Sequence, residues 1–246
     1  MNWENQPIGG NNDMEYCFCT LALGEKYHRL GKIFLKSFVA NTTNGNTKII
    51  VVTDYPGKLV DDGKVIQVPF DSKIKGSFVT LKWLAYRHAL EAGYDNICYV
   101  DADSVAVPEF DESAILDKIS DGMGCTWLLN YAEGFPRGRN TRGTKKLKKL
   151  VNKDDTYPIT CPVECFMFLK GDRSRSLAFI SEWERIQQQI VEEKLWHREV
   201  CHEIGLAAKR TGVPVYKYPG GKHIHKSNFE HFGAGAAKQR MLDLYD

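Results

Sequence analysis

Cys98-Tyr99-Val100-Asp101-Ala102-Asp103-Ser104 is an apolar segment that ends abruptly in two carboxylates separated by one small residue. Residues two apart on an extended chain point the same way, so both carboxylates are expected to converge at the carboxyl end of a strand. In open α/β sheets that end is where ligands bind. Two carboxylates held together repel each other, and a hard divalent cation, Mn²⁺ or Mg²⁺, relieves the repulsion. Asp-x-Asp triplets also serve as turn or cap residues. Here the strand-like run ahead of the pair, its place fourth among such runs and the small Ala102 favour a ligand site.

On the amino-terminal side of this run, strand-length apolar segments alternate with stretches of helical period. Tyr16 to Leu23, Thr47 to Thr53, Lys64 to Phe70 and Asn96 to Val100 read as strands, each bounded by Gly, Asn, Asp or Pro. Between the first two, Tyr27 to Ala40 carries Leu30, Phe34 and Phe38 at intervals of four with Ile33 beside them, which makes one apolar helical face. Between the third and fourth, Phe78 to Glu91 carries Leu81, Leu84, Ala85 and Ala89, and Gly93 stops the helix. The β-α-β-β-α-β order predicts an α/β fold, a mixed and mainly parallel sheet flanked by helices, with a doubly wound, Rossmann-like nucleotide-binding half.

On the carboxyl side the pattern loosens through Pro108 and a short acidic helix near Asp111 to Ile119, then recovers as a strand from Met123 to Leu129. No apolar period runs from Asn130 to Pro158, where Arg137, Arg139, Arg142, Lys145, Lys146, Lys148 and Lys149 accumulate. This predicts a mobile basic loop over about 131–158. A strand from Cys165 to Leu169, helices over Ser174 to Glu193 and His197 to Thr211, and a strand from Val213 to Tyr218 complete the reading. No repeat or linker divides the chain, so residues 14–246 are expected to form one domain behind a flexible polar tail, 1–13.

Composition bounds the function. In 246 residues, 33 Lys and Arg stand against 31 Asp and Glu, and the net charge of +2 gives no general reason to invoke nucleic acid or an acidic membrane. No stretch approaches the ~20 apolar residues of a membrane span, and the amino terminus has no signal-peptide pattern. The cysteine count of seven is odd, and Cys17 and Cys19 alternate in an apolar run as buried thiols do, so a reducing, cytoplasmic setting is expected. Cys161, Cys165, Cys201 and His202 match no zinc spacing well and read as ordinary thiols and an ordinary histidine.

The segment Tyr99-Val100-Asp101-Ala102-Asp103 resembles the Asp-x-Asp element of the GT-A glycosyltransferases, especially retaining families such as the glycogenin-like and blood-group-type enzymes. The resemblance spans roughly Tyr16 to Gly233. It implies that Asp101 and Asp103, with Ala102 between them, hold a cation on the diphosphate of a nucleotide sugar. It places Thr20, Leu21 and Ala22, with Lys26 and Tyr27 nearby, against the nucleotide, and Asp54 against the base. Asp54 has the rival role of a helix or turn cap. Lys82 matches a basic donor-facing position and reads equally well as a solvated helix lysine.

Downstream, Val163 to Leu169 resembles the strand lining the sugar and acceptor side. Many relatives have Asn or Gly where Glu164 and Cys165 stand here. A carboxylate in an apolar strand is costly unless exposed or paired, which makes Glu164 a site candidate. Glu199 and Glu203 lie four apart and share one helical face. By resemblance Glu203 is the leading candidate for the carboxylate that stabilises charge at the anomeric carbon or acts as base, and two solvated glutamates are the plain alternative. In Lys222-His223-Ile224-His225-Lys226 basic residues alternate around an isoleucine. The resemblance implies His225 as a metal ligand, His223 in reserve, and Lys226 facing the leaving diphosphate.

The activity implied is metal-dependent sugar transfer from a nucleotide-diphosphate sugar, UDP ahead of GDP, to a hydroxyl of a glycan, glycolipid or protein-linked glycan, with retention favoured over inversion. Two alternatives differ in class. A sugar-1-phosphate nucleotidyltransferase shares the topology, but Thr20-Leu21-Ala22-Leu23-Gly24 lacks its Gly-rich loop. A non-catalytic nucleotide-sugar or carbohydrate-binding module retains the metal pair without turnover.

Overall fold

The computed structural model describes residues 16–76, 81–108, 110, 112, 115, 119–131, 149–151, 155–156, 158–162, 166–195, 201–218, 228–233 and 235–245. Its first strands are β1 (Tyr16–Ala22), β2 (Lys48–Thr53), β3 (Val65–Pro69) and β4 (Asn96–Val100). Helix α1 (Glu25–Asn41) joins β1 to β2, and α2 (Lys82–Glu91) precedes β4. The remaining elements are β5 (Ser104–Ala106), β6 (Gly122–Cys125), β7 (Leu128–Tyr131), β8 (Ile159–Pro162), β9 (Phe166–Lys170), α3 (Arg173–Glu192), α4 (Cys201–Thr211), β10 (Val215–Lys217), β11 (Phe229–His231) and α5 (Ala236–Tyr245). The polar tail, most of the basic stretch over 131–158 and most of the acidic helix near 111–119 lie outside the described residues.

A seven-stranded sheet runs in the order β10-β6-β9-β4-β1-β2-β3. It is mixed and mainly parallel: β9 runs antiparallel to β4 and β6, and the other pairings are parallel. Helices cover both faces, and strand periodicity explains how. On β1, Cys17, Cys19 and Leu21 point to one side, where Leu84 and Ala85 of α2 and Phe179, Ile180 and Trp183 of α3 pack. Phe18 and Ala22 point to the other, against Phe34 and Phe38 of α1. Because both faces are buried, β1 and β2 are apolar at nearly every position instead of alternating. The α1 side is rich in phenylalanine: Phe18 lies 5.1 Å from Phe38 and 5.4 Å from Phe110, and Phe229 lies 4.9 Å from Phe110. Each such ring contributes roughly 1.5–3 kcal/mol by burial.

The strand expected over Met123 to Leu129 is two strands in two sheets. β6 belongs to the large sheet, whereas β7 leaves it and pairs antiparallel with β8. The break falls at Thr126 and Trp127, where the Cys125 thiol donates to the Trp127 carbonyl at 2.8 Å. An apolar run carries the same period whichever sheet it joins, so its pattern does not reveal a change of partner. Gly124 allows the Tyr216 ring to cross β6, since a Cβ there would lie 2.7 Å from it.

Four elements are not legible in the sequence pattern: β5, β8, β11 and α5. β8 pairs with β7. β5 and β11 form a small antiparallel sheet, and α5 follows it. Together they enclose a separate apolar cluster of Leu30, Ile33, Val105, Phe232, Met241 and Leu242 on the outer side of α1.

Candidate metal and nucleotide site

The strand order 3-2-1-4 sends the chain outward from β1 and then back to β4 on the opposite side. The crevice at the carboxyl ends of β1 and β4 is therefore a topological switch point, the place where open α/β sheets take up ligands. β4 stops at Val100. The chain turns through Asp101, Ala102 and Asp103, then extends again as β5, paired with β11 and no longer with the large sheet. The carboxylates thus converge through a turn and not through the alternation of an extended strand. Ala102 is fully buried beneath this turn, and a Cβ on Gly31 of α1 would lie 4.0 Å from its own.

The pairing of β5 with β11 puts Ser104 opposite His231, and the Phe232 N–H donates to the Asp103 carbonyl at 2.9 Å. This brings His231 Nε2 to 3.3 Å from Asp103 Oδ1. One ligand atom from each of Asp101, Asp103 and His231 lies within 4.8 Å of the others, so the three side chains can hold a metal ion.

Two lysines complete the cluster. Lys82, at the start of α2, is 5% exposed, places its ammonium 2.7 Å from Asp101 and lies 4.7 Å over the Tyr99 ring. Lys238, on α5, lies 2.7 Å from Asp103, donates to the Tyr27 hydroxyl at 2.8 Å and rests over that ring. Burial alone would raise the Asp103 carboxyl, but hydrogen bonds and charge from His231 and Lys238 outweigh it and hold Asp103 below its ordinary value. Burial alone would lower His231, but Asp103 and then Asp101 hold its imidazolium and raise it. Burial pulls Lys238 down, and Asp103 and Tyr27 more than compensate.

Two further hydroxyls belong to the segments that build this crevice. Thr20 Oγ1 and Ser104 Oγ are fully buried, with no hydrogen-bond partner among the described residues. Buried polar atoms are nearly always paired, so such orphans mark places where a water or ligand is expected.

Of the residues singled out from sequence, Asp101, Ala102, Asp103, Lys82 and Tyr27 come together here. Lys82 is a buried partner of Asp101 and not a solvated lysine. The Leu21 and Ala22 side chains face the two halves of the core. Lys26 is exposed on the first turn of α1. Asp54 accepts from the Gly24 N–H at 3.0 Å and meets His28 Nε2 at 2.5 Å, which ties the end of β2 to the start of α1. Glu203 is buried in the first turn of α4, a helix held against β8 and α3, and lies outside the Asp101–Asp103–His231 group. Glu164, Glu199, His223, His225 and Lys226 lie outside the described residues.

His231 and Lys238 were missed. Their signal is short: Phe229-Glu230-His231 alternates over one strand, and Gly233 and Gly235 precede a helix-forming run from Ala236. Three alternating residues do not stand out without knowledge of the strand they pair with. No family model matches this chain, and no curated protein sequence matches it.

Proposed function

We propose that this protein is a metal-dependent glycosyltransferase of the GT-A type, transferring a sugar from a nucleotide-diphosphate sugar, UDP-linked ahead of GDP-linked, to a hydroxyl acceptor. The observation that carries this reading is the convergence of Asp101, Asp103 and His231 at the carboxyl end of β4, beside the switch point of the sheet.

The donor set fits the implied ion. Two carboxylates suit Mg²⁺ and Mn²⁺ alike, and an imidazole tips the choice towards Mn²⁺, which accepts nitrogen more readily. When bound, the ion supplies Lewis-acid stabilisation of the negative charge that develops on the leaving diphosphate. Lys82 and Lys238 add positive charge where that diphosphate would lie. By resemblance Thr20, Leu21, Ala22 and Ala102 belong to the nucleotide side of the site, and the unpaired buried hydroxyls of Thr20 and Ser104 support a ligand or water beside it. Glu203, with Glu164 and Glu199, supplies the candidates for a carboxylate facing the anomeric carbon.

Incubating the protein with Mn²⁺ and a panel of UDP- and GDP-sugars, and following release of the nucleoside diphosphate, tests the reading. Mn²⁺-dependent release of UDP is expected, abolished by chelation. Release of pyrophosphate from a sugar phosphate and UTP would instead make it a nucleotidyltransferase, and tight binding without release would make it a binding module.

A further inference from the structure

The two carboxylates already have cationic partners within the chain. Lys82 Nζ lies 2.7 Å from Asp101 Oδ1, and Lys238 Nζ lies 2.7 Å from Asp103 Oδ2. The lysines come from separate elements, α2 and α5, one on each side of the turn. Both are largely shielded from water, with side-chain exposures of 6% and 14%. Shielded from water in this way, opposite charges attract more strongly than a solvated pair at the same separation. A divalent cation entering this turn therefore competes with two ammonium groups of the protein.

We propose that Lys82 and Lys238 are internal counter-cations that keep the affinity for a divalent metal alone low, so that metal and a diphosphate-bearing ligand bind cooperatively. This rests on the transferase reading of the site. Once a cation takes the carboxylates, the ammonium groups lose their partners, and an anion bearing two phosphates supplies new ones. Each ligand then raises the affinity for the other by the same factor, as linkage requires. The arrangement favours a loaded site only when both ligands are present.

Lys238 is the better handle, because its aliphatic stem reaches the site from the terminal helix and α5 contributes little to the central core. Its ammonium also donates to Tyr27, so Lys238→Met removes two contacts and Lys238→Gln keeps a donor of similar length. Calorimetric titration of the full chain with MnCl₂, alone and with saturating UDP, tests the proposal, with melting curves confirming that each variant is folded. The wild type is expected to bind Mn²⁺ weakly alone and more tightly with UDP. Lys238→Met and Lys238→Gln are expected to bind Mn²⁺ alone about tenfold more tightly, with a smaller gain on adding UDP.

If either folded variant binds Mn²⁺ alone no more tightly than the wild type does, the counter-cation role is overturned while a metal-dependent site stands. If neither wild type nor variants take up Mn²⁺ even with UDP, both the proposal and the metal-dependent reading fall.

Discussion

At Asp103 the chemistry is most sharply defined. Its carboxylate is buried, meets His231 and Lys238 at once, and is held ionised against the pull of burial. Asp103→Asn keeps the shape, removes the charge and leaves Lys238 beside a neutral amide. The expected outcome is loss of Mn²⁺-dependent UDP binding in calorimetry, by at least about tenfold or about 1.4 kcal/mol, with an unchanged far-ultraviolet dichroism spectrum. Retained affinity would count against Asp103 as a ligand. Asp54 illustrates how a residue type underdetermines its role. The same carboxylate after β2 suits a nucleotide contact or a cap, and its bonds to the Gly24 N–H and the His28 ring tie the end of β2 to the start of α1. For Lys82, which reads equally as a donor-facing base or a solvated helix lysine, burial against Asp101 and the Tyr99 ring excludes the solvated role.

Among the elements, α4 is positioned by contacts with no sequence signature. A Cβ on Gly205 would lie 2.4 Å from the Cys161 Sγ and 2.7 Å from the Thr160 carbonyl, so the helix is pressed against β8 where a glycine allows it. Gly205→Ala is expected to force the two apart and to destabilise by about 1–3 kcal/mol in chemical denaturation, despite the better helix propensity of alanine. A stability at or above the wild type would show that β8 yields easily. On its other side α4 is tied to α3 through Arg210, which bonds Asp155, Glu182 and the Leu150 carbonyl. The hydrogen bond from Arg185, against the opposing effect of burial and with help from Arg210, holds Glu182 below its ordinary value of 4.5. A lowered carboxylate contributes stability that is complete above the ordinary value and is lost as pH falls through the lower folded one. Glu182→Gln should therefore cost about 0.5–1 kcal/mol at pH 7, and the gap should close below pH 4.5. A gap independent of pH would mean that the pair acts through packing alone.

Across the fold, the site draws on four elements: β4 of the large sheet, α2 packed on it, β11 of the small sheet and α5 after it. A ligand bridging them should therefore stabilise the folded state as a unit. Mn²⁺ together with UDP, each at about a hundred times its dissociation constant, is expected to raise stability by about 2.7 kcal/mol or more. That appears as an upward shift in melting temperature, absent with chelator and in Asp103→Asn. A shift that survives the substitution would place the ligand elsewhere. Among the described residues no helix is long and apolar enough to cross a membrane, and Cys17, Cys19, Cys98, Cys125 and Cys161 are buried thiols outside any disulfide.

What the chain encodes locally was readable. Runs buried on both faces identified β1, β2 and β4, a four-residue apolar spacing identified α1, and Asp101-Ala102-Asp103 marked the carboxyl end of β4. These signals survive because burial imposes its period within a few consecutive residues. The division of 123–129 between two sheets, the partnership of His231 and Lys238 with Asp103, and the burial of Lys82 were not readable. Each depends on two segments far apart in the chain meeting across a particular register, and neither segment carries a trace of the other until they pack.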